Sequence, residues 1–301
     1  RKNLIINGGM QVSQRGNYTS ATAASHNNYY LDRWLFESGL SQTVQDTGFK
    51  QKVVVTAGGT SIVGIRQKIE DKTYNRLLGK TVTLSAKVTS NSSDARICSY
   101  ADGWRVGTAH TGGGAEETLT LTYTVPSSLS VAALMLEVAI TGSSYLNVAI
   151  AVGDYIEITD VQLEVGSVAT EFEHRSYGEE LALCQRYYCF SPYGTEDSII
   201  NSVHGHTKTN STYEWVNINF PVQMRATPTI QLISGANGNG SIIPDAKLRY
   251  VETAGGDGGT DLAPYSFYAA SNELGVIKTY NEHNSSAWYG IQGGYLASAE
   301  L

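Results

Sequence analysis

Charge is scarce in this sequence. Only 16% of its 301 residues are Asp, Glu, Lys or Arg, against roughly 25% in an average soluble domain. Positive charge is scarcer still: 21 Lys and Arg face 28 Asp and Glu, a formal net charge of −7, and no basic run occurs. That balance argues against a phosphate backbone as partner, so no nucleic-acid role is expected. Long apolar runs are also missing. The longest, Val131 to Ile140, carries Glu137 and falls well short of the roughly 20 residues of a bilayer-spanning helix, so membrane insertion is not expected. The cysteines, Cys98, Cys184 and Cys189, are odd in number and lack metal-type spacing, which implies neither a disulfide framework nor a zinc site. Proline takes only 6 places, whereas Gly takes 31 and Tyr 19. Such a mix predicts tight turns and aromatic strands rather than a helical bundle, a coiled coil or a disordered tail. The chain opens on Arg1 without an apolar signal segment; because that residue is not Met, a longer polypeptide is expected.

Periodicity of two runs through the first half. Val82, Leu84, Ala86 and Val88 alternate with polar residues, as do Leu119, Leu121, Tyr123 and Val125, then Leu134, Leu136, Val138 and Ile140, and Val63, Ile65, Gln67 and Ile69. Each segment has one apolar and one polar face, the pattern of antiparallel strands packed on one side. Glycine- and serine-rich turns separate them: Ala57-Gly58-Gly59, Asn91-Ser92-Ser93, Gly112-Gly113-Gly114 and Gly142-Ser143-Ser144. A jelly roll or related sandwich is expected. In its last strand Ile156 and Ile158 share one parity and Val161, Leu163 and Val165 the other. One extra residue near Thr159-Asp160, a β-bulge, would produce that switch.

From Ser176 the period changes. Ser176 and Glu179 form a capping-box pattern, and Leu181, Cys184 and Tyr188 give one apolar stripe on a helix of about three turns. So short a helix is marginal alone and needs neighbouring domains or copies of itself. Strand patterns return afterwards, as in Val216, Ile218 and Phe220, interrupted by glycine-rich loops at Gly235 to Gly240 and Gly255 to Gly259. The expected architecture is all-β: a jelly-roll-like domain over 1–170, a linker with a short helix over 171–190, and a distal β-sandwich over 191–301.

Sugar recognition requires flat apolar ring faces beside amides, hydroxyls or carboxylates. In the first half Tyr29, Tyr30, Trp34, and Trp104 with Asp102 are candidates. Trp34 sits in a strand-like run and reads as core, while Trp104 lies in a turn-like segment. In the second half Tyr265, Tyr268, Trp288 and Tyr289 follow loop-like stretches and are candidate ligand contacts, with the glycine-rich loops as variable tips. No nucleophile elbow, phosphate loop or zinc-protease motif appears. The acids Asp32, Glu37, Asp102 and Glu137 show no local arrangement that selects a glycosidase pair. No catalysis is expected, and no cofactor.

Three stretches carry a family resemblance. Asn3-Leu4-Ile5-Ile6-Asn7-Gly8-Gly9-Met10-Gln11-Val12-Ser13-Gln14-Arg15-Gly16, followed by Asp32-Arg33-Trp34, resembles the start of a module of tailed-bacteriophage tail-fibre proteins. Ile158 to Gly166, Glu171 to Arg175 and Cys184 to Tyr188 resemble its end, and the strand pattern between is similar to galactose-binding-like carbohydrate-binding modules. Phe220 to Thr229 and Ala299-Glu300-Leu301 resemble the distal domain of the same proteins. The resemblance implies a homotrimeric virion appendage, assembled in the host cytoplasm and joined to upstream tail proteins. It would attach to a bacterial surface glycan or outer-membrane receptor, with the region from Gly235 to Tyr280 varying with the host. It also implies two metal options. Asp160 matches a position near structural calcium in galactose-binding-like modules, and His204 and His206, sharing a strand face, could bring six nitrogens to iron at a trimer axis. The alternative is a carbohydrate-binding module of a polysaccharide-degrading enzyme.

Overall fold

The computed structural model describes residues 2–130, 134–141, 149–191, 214–233, 248–252, 261–262, 265–269, 274–279, 289–292 and 294–300. The chain divides into two compact units, Arg1–Leu181 and Ala182–Glu300. Unit 1 carries β1 (Thr22–Ala24), β2 (Tyr29–Leu31), β3 (Trp34–Ser38), β4 (Gln42–Asp46), β5 (Gln51–Val55), β6 (Ile62–Ile69), the single-turn helix α1 (Asp71–Tyr74), β7 (Thr81–Ser90), β8 (Ala95–Tyr100), β9 (Trp104–Ala109), β10 (Glu116–Thr124), β11 (Leu134–Thr141) and β12 (Tyr155–Val165). Two antiparallel six-stranded sheets result. Sheet A has the order β1-β4-β5-β12-β7-β10 and sheet B the order β2-β3-β6-β11-β8-β9. The inward parity of each predicted strand meets in one core: Val82, Leu84, Ala86 and Val88 from sheet A face Leu134, Leu136, Val138 and Ile140 from sheet B. Each large apolar side chain so buried contributes about 1.5–3 kcal/mol. Trp34 belongs to that core and is fully buried.

The parity switch in the last strand is a bulge. The β12–β7 register slips between Thr159 and Gln162, and Asp160 takes φ 49°. Ile156, Ile158, Val161 and Leu163 therefore all point inward. Val165, placed on the same parity, is exposed instead, because the strand ends at that residue.

The opening segment is stitched to the sandwich by polar side chains and by two backbone hydrogen bonds to β12, from the Leu4 N–H to the Leu163 carbonyl and from the Val161 N–H to the Gly8 carbonyl. Gln67 breaks the apolar alternation of β6 and uses its buried amide as a second backbone: its Oε1 accepts the Ile6 N–H at 3.0 Å and its Nε2–H donates to the Ile6 carbonyl at 2.8 Å. Asn7, wholly buried, accepts the Gln11 and Val12 N–H groups on Oδ1 at 2.9 and 3.0 Å and donates Nδ2–H to the Val12 and Asp32 carbonyls at 2.8 and 3.0 Å. Its carbonyl accepts the Trp34 indole N–H at 2.8 Å. Gly8 accepts the Val161 N–H at 2.9 Å, and a Cβ there would stand 2.1 Å from the Val161 oxygen, so only glycine fits.

The far end of the module closes on the same segment. The Glu173 carboxylate accepts the Asn3 N–H at 2.8 Å. The Arg175 guanidinium donates to the Ile5 carbonyl at 2.8 Å, to the Asn3 carbonyl, and to Glu180 at 3.2 Å. Helix α2 (Tyr177–Gln185) begins with the predicted capping box: the Glu179 carboxylate accepts the Ser176 N–H at 3.1 Å, and the Ser176 hydroxyl oxygen accepts the Glu179 N–H at 3.4 Å. In the first turn, Glu180 accepts the Asn7 N–H at 2.5 Å, so unit 1 itself holds the start of this short helix. The helix is also shorter than the apolar stripe suggested, since Tyr188 opens the next strand.

Unit 2 contains β13 (Tyr188–Ser191), β14 (Glu214–Asn219), β15 (Thr229–Ile233), β16 (Leu248–Glu252), β17 (Asp261–Leu262), β18 (Tyr265–Ala269), β19 (Leu274–Thr279), β20 (Tyr289–Gln292) and β21 (Gly294–Ser298). Its described strands form three antiparallel three-stranded sheets, β13-β21-β15, β14-β19-β18 and β17-β16-β20. Among the described residues, no helix is long and apolar enough to cross a membrane.

Candidate binding face

The side of sheet B that faces away from the core is not a plain solvated surface. Register places Glu37 and Leu35 on β3, Arg66 on β6, Glu137 on β11 and Cys98 on β8 along one line, with Leu35 opposite Arg66, Arg66 opposite Glu137 and Glu137 opposite Cys98. Tyr100 and Trp104 face each other across β8 and β9 on the same side. Cys98, Glu137 and Ala139 are buried there although they lie outside the core cluster. Glu37, Arg66, Arg96, Tyr100 and Trp104 are half-buried, so they supply the accessible surface.

Arg66 organises the row. Its Nη1 lies 3.1 Å from Glu37 Oε2, and its Nη2–H and Nε–H donate to Glu137 Oε2 at 2.9 and 3.2 Å. The guanidinium carbon sits 5.9 Å from the centroid of the Trp104 ring, within the range of a cation–π contact. The Trp104 and Tyr100 rings meet edge to face, 5.2 Å apart at 64°. Glu137 Oε1 has no hydrogen-bond partner among the described residues. Burial pushes the Glu137 carboxyl up to about 7 from an ordinary 4.5, against the charge and hydrogen bonds of Arg66 and with the help of the nearby Glu37 charge. Burial likewise pushes the Cys98 thiol up to about 12, with Glu137 adding to the effect and Arg96 opposing it, so this thiol is unreactive at neutral pH.

The sign of the Glu137 shift yields a prediction. Between pH 4.5 and 7 the folded chain keeps a proton on Glu137 that the unfolded chain releases, so this group's contribution to stability falls as pH rises through that window. Glu137→Gln removes the titration. Relative to the parent, the variant is expected to gain about 2–3 kcal/mol between pH 5 and 8. Urea unfolding of both chains across that range checks it, and a pH-independent difference would contradict the assignment.

The sequence candidates distribute unevenly. Trp104 lies on this face. Asp102, exposed at φ 55° in the β8–β9 turn, accepts the Ser130 N–H and hydroxyl at 2.7 and 2.8 Å. Tyr30 is packed edge to face between Tyr18 and Phe36, and Tyr29 lies under Arg15, 4.9 Å from the guanidinium carbon to the ring centroid. Tyr265 and Tyr268 pair with Thr279 and Val276 on β19, while Tyr289 belongs to β20 in a different sheet. Trp288, His204, His206 and both glycine-rich loops fall outside the described residues. Asp160 stands at the bulge with Oδ2 2.8 Å from Lys87 Nζ. Among the described residues, no group of three or more His, Cys, Asp or Glu is placed to hold a metal ion.

Glu37, Arg66, Glu137 and Tyr100 were not singled out by sequence as a site. The one available signal was Glu137, a charge inside the longest apolar run. As a surface, the face offers ring area to the C–H side of a pyranose, guanidinium donors and a carboxylate acceptor. It also has, in Glu137, a carboxyl that changes protonation near neutral pH.

No family model matches the chain, and no curated protein does. Solved structures do. A cyclase from Fischerella sp. matches at 15% identity and TM-score 0.38, covering 56% of this chain and 98% of its own. The CBM22-1 xylan-binding domain of Paenibacillus barcinonensis Xyn10C matches at 12% and 0.30, covering 51% of this chain and 99% of its own. The enzymatically active domain of bacteriophage CBA120 tailspike protein 4 matches at 15% and 0.31, covering 55% of this chain and 21% of its own. At these identities the likeness is one of fold alone. The expectation that the chain is not an enzyme is corrected here: the matched structures include cyclases, and one sandwich can carry either catalytic or binding side chains on its outer faces. The lack of a linear catalytic motif therefore excludes nothing.

Proposed function

We propose that this chain belongs to a tail appendage of a tailed bacteriophage and attaches the virion to a bacterial surface glycan, with the outer face of sheet B holding the saccharide. The observation that carries this reading is the half-buried Tyr100–Trp104 pair beside the Glu37–Arg66–Glu137 row. Rings receive the apolar side of a sugar, and the fixed guanidinium and carboxylate meet its hydroxyls. The tail-appendage part draws support from the order of the three family-like stretches, two of which are joined in space through Asn3, Ile5, Glu173 and Arg175. A homotrimer would present the face three times and raise avidity by about 100-fold or more where geometry lets the copies engage together.

An array of bacterial surface polysaccharides probed with the intact chain tests the binding. Retention that disappears in Trp104→Ala supports the reading, and retention unchanged in a folded Trp104→Ala chain contradicts it. Sedimentation equilibrium tests the assembly: three-chain mass supports the trimer and single-chain mass refutes it.

A further inference from the structure

Sheet A has an outer face of its own, and at the bulge it is hollowed. A pocket of about 470 Å3 is lined by Ser85 and Lys87 of β7, Thr118 of β10, Asp160 of β12, and the returning segment with Thr170, Glu171, Phe172 and His174. Its volume falls within the roughly 300–1,000 Å3 of small-molecule sites. The bulge creates the opening, because the extra residue at Asp160 turns its carboxylate outward to Lys87, which pairs with Thr118 in the β7–β10 register.

The opposite wall is tied down by hydrogen bonds and a ring contact. Thr170 donates its N–H and its hydroxyl to the Glu164 carboxylate, both at 2.8 Å. Lys2 Nζ donates to Thr170 Oγ1 and to the Glu171 carbonyl, both at 2.6 Å. The Phe172 ring stands edge to face with His174, centroids 4.9 Å apart at 84°, and lies close to Gly9, where an added Cβ would stand 3.5 Å from the ring. Side chains already held by such contacts have less conformational freedom to lose when a ligand arrives.

We propose that this pocket is a second saccharide subsite, independent of the sheet B face, which takes an uncharged hexose residue. The chemistry favours that class. An aromatic ring lies beside the Ser85 and Thr118 hydroxyls, which can both donate and accept, with the ammoniums of Lys87 and Lys2 and the carboxylates of Asp160, Glu171 and Glu164 near them. Lys87 is already engaged by Asp160 and Lys2 lies against Thr170, so the carboxylates of Asp160, Glu164 and Glu171 outnumber the two ammoniums by one, a surplus of negative charge that disfavours uronic or sialic acids. With a subsite on each sheet, one unit can engage two residues of a branched surface glycan, or two neighbouring chains.

Saturation-transfer NMR of the full-length Trp104→Ala chain tests this subsite with the other face disabled. Methyl glucoside, methyl galactoside and methyl mannoside at millimolar concentration are the probes, with methyl glucuronide as the charged counterpart. Saturation of at least one uncharged glycoside is expected, at least fivefold above that of the glucuronide. It should be lost on adding Phe172→Ala and, separately, Thr118→Arg, an exposed-strand change that blocks the pocket without touching the core. Signal that persists in the folded Thr118→Arg chain, glucuronide bound as well as the neutral sugars, or no saturation from any probe would each overturn the proposal. Because Thr118 and Trp104 lie on different sheets, array retention by the Thr118→Arg single variant reports separately on the sheet B face.

Discussion

Arg175→Ala should unfold the first unit at markedly lower denaturant and temperature than the parent. The guanidinium is almost wholly buried, as is its partner Glu180, at 5% and 6% side-chain exposure. It closes three connections at once, to the Asn3 and Ile5 carbonyls and to Glu180. Truncation leaves two carbonyls and a carboxylate with only the Asn7 N–H and solvent that cannot reach them easily. Breaking a buried pair from one side costs about 3–5 kcal/mol, which for a unit of this size lowers the midpoint by about 10 °C. Arg175→Lys should recover little, since an ammonium cannot span the same forked geometry. The double variant Arg175→Ala/Glu180→Ala should be less destabilised than the sum of the singles, because no uncompensated carboxylate remains. Calorimetry of the five chains, the parent, Arg175→Ala, Arg175→Lys, Glu180→Ala and the double variant, decides the matter. A loss under about 1 kcal/mol in Arg175→Ala would show the clasp to be ornamental.

The second large effect concerns binding. Trp104→Ala is expected to weaken saccharide binding by about 30-fold, roughly 2 kcal/mol, the scale of a central aromatic anchor. Arg66→Ala should match it by a different route. It removes a donor and also leaves Glu137 buried without its counter-charge, so the remaining carboxylate favours its protonated form more strongly and the row loses its shape. Arg66→Lys would separate the two causes: it keeps the charge, and any residual loss measures the forked geometry by which one guanidinium reaches both Glu37 and Glu137. Isothermal titration with an array-selected oligosaccharide reads all three. Equal affinity across the series would place the ligand elsewhere.

Much of the fold was readable because its signals are local. Alternation in Val82 to Val88 and Leu134 to Ile140 needs only neighbours two apart. The bulge shows as a parity change within a few residues, and the capping box lies within Ser176 to Glu179. The strands that escaped notice are short or carry few apolar residues, such as Thr22–Ala24 and Tyr29–Leu31, where pairing with longer neighbours rather than propensity decides the conformation. The helix ends earlier than its apolar spacing predicts, because Tyr188 continues that spacing by coincidence while its backbone joins β21.

The candidate face was legible only in fragments. Trp104 is marked in the sequence only as a ring in a turn-like segment; it opens β9 and is half-buried. Glu37, Arg66 and Glu137, however, are brought together by the β3–β6–β11 register, and their separations in sequence carry no periodic signal. Read in one dimension, Glu37 and Glu137 are unrelated acids; across the sheet they share one guanidinium. The motifs behind the family resemblance have the opposite character. Asn7, Gly8, Trp34, Glu173 and Arg175 are specific because they tie the module's two ends together, which is a structural demand and carries no information about the ligand.

A crystal structure of the full chain with the oligosaccharide it retains most strongly on the array tests the central claim most directly. A pyranose ring is expected against Trp104 and Tyr100, with hydroxyls within hydrogen-bonding distance of Arg66 and Glu37. A saccharide seated only on unit 2, with the outer face of sheet B bare, would contradict the account.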